Sequence, residues 1–129
     1  VGNLFNGNFG STTPDNLFAD TTHPVDVKGV ILKSGQGVLA RGTVLGIISA
    51  TGKAVAVDSS KSDGSEKADC ILTDTVDTSA SDAVSSAYSS GSFNRKALVF
   101  GGTDTATKHE TKLRELGIFL KDVQPYDAE

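Results

Sequence analysis

The chain has 129 residues, a formal net charge of −4, 37% hydrophobic residues, 14 glycines, no Trp, no Met and one cysteine. That length supports a single domain with one core and a tail, and the acidic balance excludes a sequence-independent grip on phosphate backbones, which needs clustered Lys and Arg. No apolar run approaches the ~20 residues needed to cross a bilayer, Val1 to Gly10 lack the form of a secretory signal, and one cysteine excludes an internal disulfide or a cysteine-based zinc site. Together these point to a protein made and kept in a reducing cytoplasm, or assembled there into something larger.

Residues 1–24 read as an extended arm, and residues 25–129 as the domain. In the arm Leu4-Phe5, Phe9 and Leu17-Phe18 stand among Asn, Gly, Thr and Asp without a helical or strand period, and Pro14 and Pro24 interrupt any element. Half of the six phenylalanines (Phe5, Phe9, Phe18) lie there. Apolar side chains with no folding signal of their own must pack on something else, in this chain or in another.

From Val25 the pattern turns to β. Val25–Val27 and Val30–Leu32 precede a turn at Ser34–Gly37. Gly42–Ile48 carries apolar residues on both faces, as a strand covered on both sides does, and a turn at Ala50–Lys53 returns it through Ala54–Val57 as a hairpin. Asp58–Lys67 reads as a polar loop. Ala68–Thr73 reads as a strand with Cys70 and Leu72 on one face and Ile71 on the other. Thr75–Ser86, rich in Ser, Thr, Asp and Ala, reads as a surface connection. Tyr88–Arg95 and Lys96–Phe100 read as short strands broken at Ser90-Gly91.

One helix is signalled near the C-terminus. Thr107 and Glu110 have capping-box spacing, Leu113 and Leu116 give an apolar edge, Glu110 can pair with Arg114, and Gly117 suits a left-handed terminator. Ile118–Val123 then reads as a last strand before Pro125. The sum is mainly β: short antiparallel strands, one short helix, and no alternation of strands with helices that would suggest a parallel sheet.

Motifs for chemistry are missing. Gly46 to Lys53 resembles a phosphate loop only superficially, since five residues separate Gly46 from Gly52 and Ala54 follows the Lys. The acidic residues between Asp58 and Asp69 lack the alternating spacing of a calcium loop, so no metal and no cofactor is expected. His109 shares a helix edge with Leu113, which suits a partly buried histidine better than a base. No serine stands in a nucleophile elbow, and Cys70 reads as a small buried hydrophobe. The chain therefore reads as a binding or structural module and not as an enzyme.

Several strings then resemble the head-decoration proteins of tailed phages and prophages, the lambda gpD-like family. Leu4-Phe-Asn-Gly-Asn-Phe9 is similar to the family's opening, and Val38-Leu-Ala-Arg-Gly-Thr-Val-Leu-Gly46 to its central hairpin. Ala68–Asp77, Gly91–Asn94 and Leu113–Leu120 are similar to its later segments, in the same order. The resemblance implies a compact β-tulip or barrel-like domain with an extended N-terminal arm. It also implies a homotrimer, formed in some cases only on the shell, that binds the outside of the expanded head at three-fold sites and clamps major capsid proteins.

From the apolar-in-polar arm, Leu4, Phe5, Asn6, Gly7, Asn8 and Phe9 are the expected capsid-binding residues, with no nucleic-acid or membrane partner. The sequence departs from the resemblance at Asn8, where an acidic residue is usual, and over 11–24, which are longer and more polar and could pack on the domain or on a neighbour. Alternative readings are another virion component, from tail or fibre, or a surface-binding β module. The second conflicts with the absence of Trp and the presence of only two Tyr.

Overall fold

Alternating apolar residues close the first half of the domain into a barrel. The structure, a computed structural model, describes residues 16–20 and 23–122. Five strands close in the order β1 (Val27–Leu32), β4 (Ala54–Ala56), β3 (Val44–Ile47), β5 (Cys70–Leu72), β7 (Ala83–Tyr88). β3 and β4 form the expected hairpin, with Leu45 opposite Ala56 and Ile47 opposite Ala54. A two-stranded ribbon, β2 (Val38–Leu39) with β6 (Val76–Asp77), lies beside the barrel sheet. It is tied down by buried Thr78, whose hydroxyl donates to the Gly37 carbonyl at 2.8 Å.

β3 and β5 are buried on both faces because two cores meet on them. Leu45, Cys70 and Leu72 point into the barrel with Val30, Leu32, Leu39, Ala54 and Ala87. Val44 and Ile71 point the other way, into a second core built from Leu17, Val57, Ala68, Phe93, Leu98, Leu113, Ile118 and Leu120. The split of Cys70 and Leu72 from Ile71 follows the expected two-residue alternation. Each such side chain contributes about 1.5–3 kcal/mol when fully buried.

Gly46, between Val44 and Ile47 in the doubly covered strand, permits the Asp58–Lys67 loop to lie directly on β3. A Cβ at Gly46 would sit 2.8 Å from Ser65 Cα and closer still to the Ser65 carbonyl oxygen. The obstacle is backbone and cannot swing aside. Gly46→Ala is therefore expected to cost about 1–3 kcal/mol through overpacking, read as a lower urea midpoint with an unchanged slope.

The second core is roofed by a strand–helix–strand unit. β8 (Gly91–Asn94) runs into a 3-10 turn at Arg95–Ala97, then α1 (Ala106–Leu116), then β9 (Ile118–Lys121), which pairs with β8 in parallel, Phe93 opposite Leu120. α1 buries His109 and Leu113 and ends at Gly117, whose φ of 95° is the left-handed value expected of it. On its other side β8 receives the N-terminal segment. Ala19 N–H donates to the Ser92 carbonyl at 3.0 Å, and Asn94 N–H to the Leu17 carbonyl at 2.7 Å.

Four sequence expectations are corrected. Thr75–Ser86 is not merely a surface connection: it contains β6 and most of β7, a six-residue barrel strand. Its Ala83, Ser85 and Ala87 pair on the barrel side with Leu32, Val30 and Lys28, and small inward residues leave room for the larger side chains opposite. Lys96–Phe100 is not a strand but the end of the 3-10 turn, followed by a single bridge from Val99 to Thr43. Antiparallel pairing is not universal, since β8 and β9 are parallel across a helical crossover and β1 meets β4 in parallel at Leu32 and Ala54. The capping box is absent. The helix starts two residues earlier, Thr105 is its N-cap without a side-chain bond, and Glu110 instead pairs with Arg95 at 2.6 Å.

Candidate functional site: the arm junction

The expected capsid-binding residues, Leu4 to Phe9, lie outside the described residues. The structure does describe the junction from which that segment departs. Asn16–Ala19 lies along β8 as an added antiparallel neighbour, bridged at Phe18 and Phe93. Leu17 is buried in the second core and Asn94 Nδ2 donates to the Asn16 carbonyl at 3.1 Å, so this stretch is fixed by backbone and side chain together. Asp20 extends the tie to β9 through Lys121 at 2.7 Å.

Phe18 completes an aromatic cluster at this junction. Its ring stacks on Phe93 at 4.8 Å and meets Tyr88 edge-on at 5.0 Å. The Arg41 guanidinium lies 5.5 Å from the Tyr88 ring centre and 5.9 Å from that of Phe18. Arg41 also donates to the Tyr88 hydroxyl and to the Thr73 carbonyl, each at 2.7 Å. Cation–π attraction and two fixed hydrogen bonds hold the cation over the rings, and this locks the junction to the barrel. Sequence reading missed Arg41. Its partners are 32 and 47 residues away, so no local pattern announces it. His23 stacks on Phe119 at 4.2 Å, a further contact between this region and β9.

One cluster invites comparison with catalysis. Asp104 Oδ2 lies 2.7 Å from His109 Nε2, and both side chains are almost fully buried, 2% and 5% exposed. Phe100 stacks on the imidazole at 5.7 Å. Ser59, however, donates its hydroxyl to Asp104 Oδ1 at 2.7 Å, and its N–H to Asp104 Oδ2 at 2.6 Å. A serine nucleophile must give its proton to the imidazole. Here the carboxylate stands between the two, so the group ties the Ser59 loop, the Asp104 loop and α1 together. Burial acts to raise the Asp104 carboxyl, but the hydrogen bonds from His109 and Ser59 outweigh it and bring it down to about 2.

The other chemically suggestive residues have structural partners too. Burial, with the neighbouring Asp69 carboxylate, pushes the Cys70 thiol up to about 12, which leaves it protonated and a poor nucleophile at neutral pH. Asp58, Asp63 and Asp77 each accept from the serine two residues on, Ser60, Ser65 and Ser79, and those bonds lower their carboxyls. They are turn residues in the ordinary sense. Among the described residues no group of three or more His, Cys, Asp and Glu side chains is placed to hold a metal ion, and no helix is long and apolar enough to cross a membrane.

Comparison with known proteins supplies what the geometry alone does not. No curated protein matches the chain. Residues 7–119 match the family described as bacteriophage lambda head decoration protein D. The match begins within the expected arm and runs through the barrel, the strand–helix–strand unit and into β9. With so much of its length covered, the chain belongs to the bacteriophage lambda head decoration protein D family, structural proteins that decorate the phage head.

Proposed function

We propose that this chain binds the outside of the expanded phage head as a trimer at three-fold sites and clamps neighbouring major capsid proteins, with Leu4, Phe5, Asn6, Gly7, Asn8 and Phe9 as the gripping segment. The supporting observation is the junction. The backbone of Asn16–Ala19 is hydrogen-bonded to β8, and Leu17 and Phe18 are packed in the second core, so a grip made by the preceding residues is transmitted to a rigid body. Burying one arm aromatic contributes on the order of 2 kcal/mol, offset by the entropy of ordering the residues around it. A single arm thus binds weakly. Three arms on one trimer gain through effective concentration, by about a hundredfold or more.

The test is cosedimentation with expanded and unexpanded shells, comparing the full chain with one lacking residues 4–9. Because the deletion stops well short of Asn16, the anchored junction stays intact and the barrel keeps its stability. The expected result is retention by expanded shells only, with affinity reduced at least tenfold by the deletion. Equal binding of both proteins would overturn the role of the arm, and binding to neither shell would overturn capsid decoration by this chain.

A further inference from the structure

The turn between β2 and β3 meets the arm base at two successive residues. Gly42 is buried with a φ of +95°, and a Cβ on it would sit 3.1 Å from the Ala97 carbonyl oxygen and 3.2 Å from Leu17 Cδ1. Arg41, beside it, places its guanidinium 5.9 Å from the Phe18 ring centre, within cation–π range. Gly42 thus receives Leu17, and Arg41 receives Phe18. Two adjacent side chains held in this way fix both the position of the backbone and its rotation about its own axis.

The turn is itself tied to the body. Arg41 N–H donates to Thr75 Oγ1 at 3.1 Å and Gly42 N–H to the Leu72 carbonyl at 3.0 Å, while the Gly42 carbonyl accepts from Val99 N–H at 3.1 Å. The guanidinium bonds to the Thr73 carbonyl and the Tyr88 hydroxyl also lead into the barrel and not into the arm. The cation is therefore set in place by β5 and β7, and Phe18 comes to it.

Building on the capsid grip proposed for Leu4 to Phe9, we infer that Arg41 is a positioning residue for shell binding. Set by the barrel, it holds the Phe18 seat closed and so fixes where, and in which direction, the gripping segment leaves the body. With the seat open, the half-exposed Asp20–Lys121 pair is too weak to hold the segment. Attachment then retreats from Asn16 to His23 and Pro24, where His23 stacks on Phe119 and Ser90 Oγ donates to the Pro24 carbonyl at 2.8 Å. The span from Phe9 to the first attached residue doubles, from seven residues to fourteen. Effective concentration falls roughly as the −3/2 power of the span, so each arm loses about threefold, and the loss compounds over three arms. A lysine at this position keeps the charge but not the flat, delocalised cation that packs on rings.

The test makes wild type and Arg41→Lys each with and without residues 4–9. Binding of the four proteins to expanded shells is measured beside amide hydrogen exchange in the free proteins. With the arm present, Arg41→Lys is expected to bind at least about fivefold more weakly; without it, the two are expected to bind alike. The amides of Ala19 and Asn94, which bridge the arm base and β8, are expected to lose at least about tenfold in protection. Those of Val57 and Asp69, bonded to β3, are expected to hold theirs and so report an intact body. Phe18→Leu removes the ring from under the cation and keeps an apolar side chain in the core; it is expected to give the same pattern, and it decides the matter if Arg41→Lys does not fold.

Full shell affinity of Arg41→Lys would overturn the inference. So would an equal loss with and without the arm, which would make Arg41 a direct contact with the shell, or weakened binding with unchanged exchange at Ala19 and Asn94. If deleting residues 4–9 from wild type costs no affinity, the grip itself fails. If that deletion costs affinity and Arg41→Lys does not, only the positioning role fails.

Discussion

Phe93→Ala is expected to cost about 3–5 kcal/mol, much of the margin of a domain this size, and to leave the chain partly unfolded at 37 °C. Among the described residues Phe93 is the largest of the fully buried side chains, and it stands where the second core, β8 and the N-terminal segment meet. Its ring touches Phe18 and Tyr88, so the cavity left by truncation opens between two elements far apart in sequence, and neither can collapse into it without breaking the Ala19–Ser92 and Asn94–Leu17 hydrogen bonds. Urea unfolding followed by far-ultraviolet circular dichroism measures the loss. A cost under about 1 kcal/mol would mean that the junction is not part of the cooperative unit. Phe18→Ala, at a partly buried position, is expected to cost less and to loosen the arm base first.

Asp104→Ala is the second large effect, expected at about 3 kcal/mol at neutral pH because it strips His109 and two Ser59 donors of a buried acceptor. The same carboxylate makes the fold acid-sensitive. Its folded value of about 2 lies below the value near 3.9 of an unfolded chain, so the stability it supplies is complete above roughly pH 5 and is lost as the pH falls toward 2. That acid-labile part amounts to about 2–3 kcal/mol in full, roughly half of it lost by pH 3. Wild type is expected to lose more of its urea midpoint between pH 7 and pH 3 than Asp104→Ala does. Equal losses would show that the Ser59 and His109 bonds do not hold the carboxylate in its charged form. Asp58, Asp63, Asp77 and Asp82 are lowered as well and add to the acid sensitivity of both proteins, which is why the difference between the two is the informative quantity.

What could be read in the sequence was whatever a short window encodes. Gly117 announced the end of the helix because only a residue without Cβ takes its φ of 95° cheaply. Gly42–Ile48 announced a doubly covered strand by being apolar at successive positions. β7 stayed hidden because Ala-Val-Ser-Ser-Ala-Tyr has small and polar residues where strand signals call for branched ones, and the pairing with β1 that makes it a strand is supplied from more than fifty residues away. The parallel pairing of β8 and β9 has no local code at all. The capping box failed by two residues: Thr105 takes the N-cap, Lys108 takes the third helical position, and Glu110 is drawn to Arg95, which also bonds Asp122 at 2.8 Å. Family membership was legible since five strings in a fixed order carry it without any knowledge of contacts. The junction was half legible. Leu17 and Phe18 stood out as apolar, but their seat on β8, and Arg41 above the Phe18 ring, depend on the folded chain.

The way Asn16–Ala19 lies along β8 has a mechanical consequence. A pull directed along β8 through the residues before Asn16 would strain the hydrogen bonds at Ala19 and Asn94 in shear, so that they yield together instead of opening one after another as in a peeled hairpin. Behind them, the parallel partner β9 and the ion pairs of Lys121 with Asp20 and of Arg95 with Glu110 spread the force into the helix and the far side of the sheet. A shell under internal pressure pulls its fastenings outward and sideways over long times, and resistance to such pulling is set by the rate at which the attachment ruptures. For the capsid grip proposed above, a junction loaded in this direction would lengthen that lifetime without needing a larger equilibrium stability.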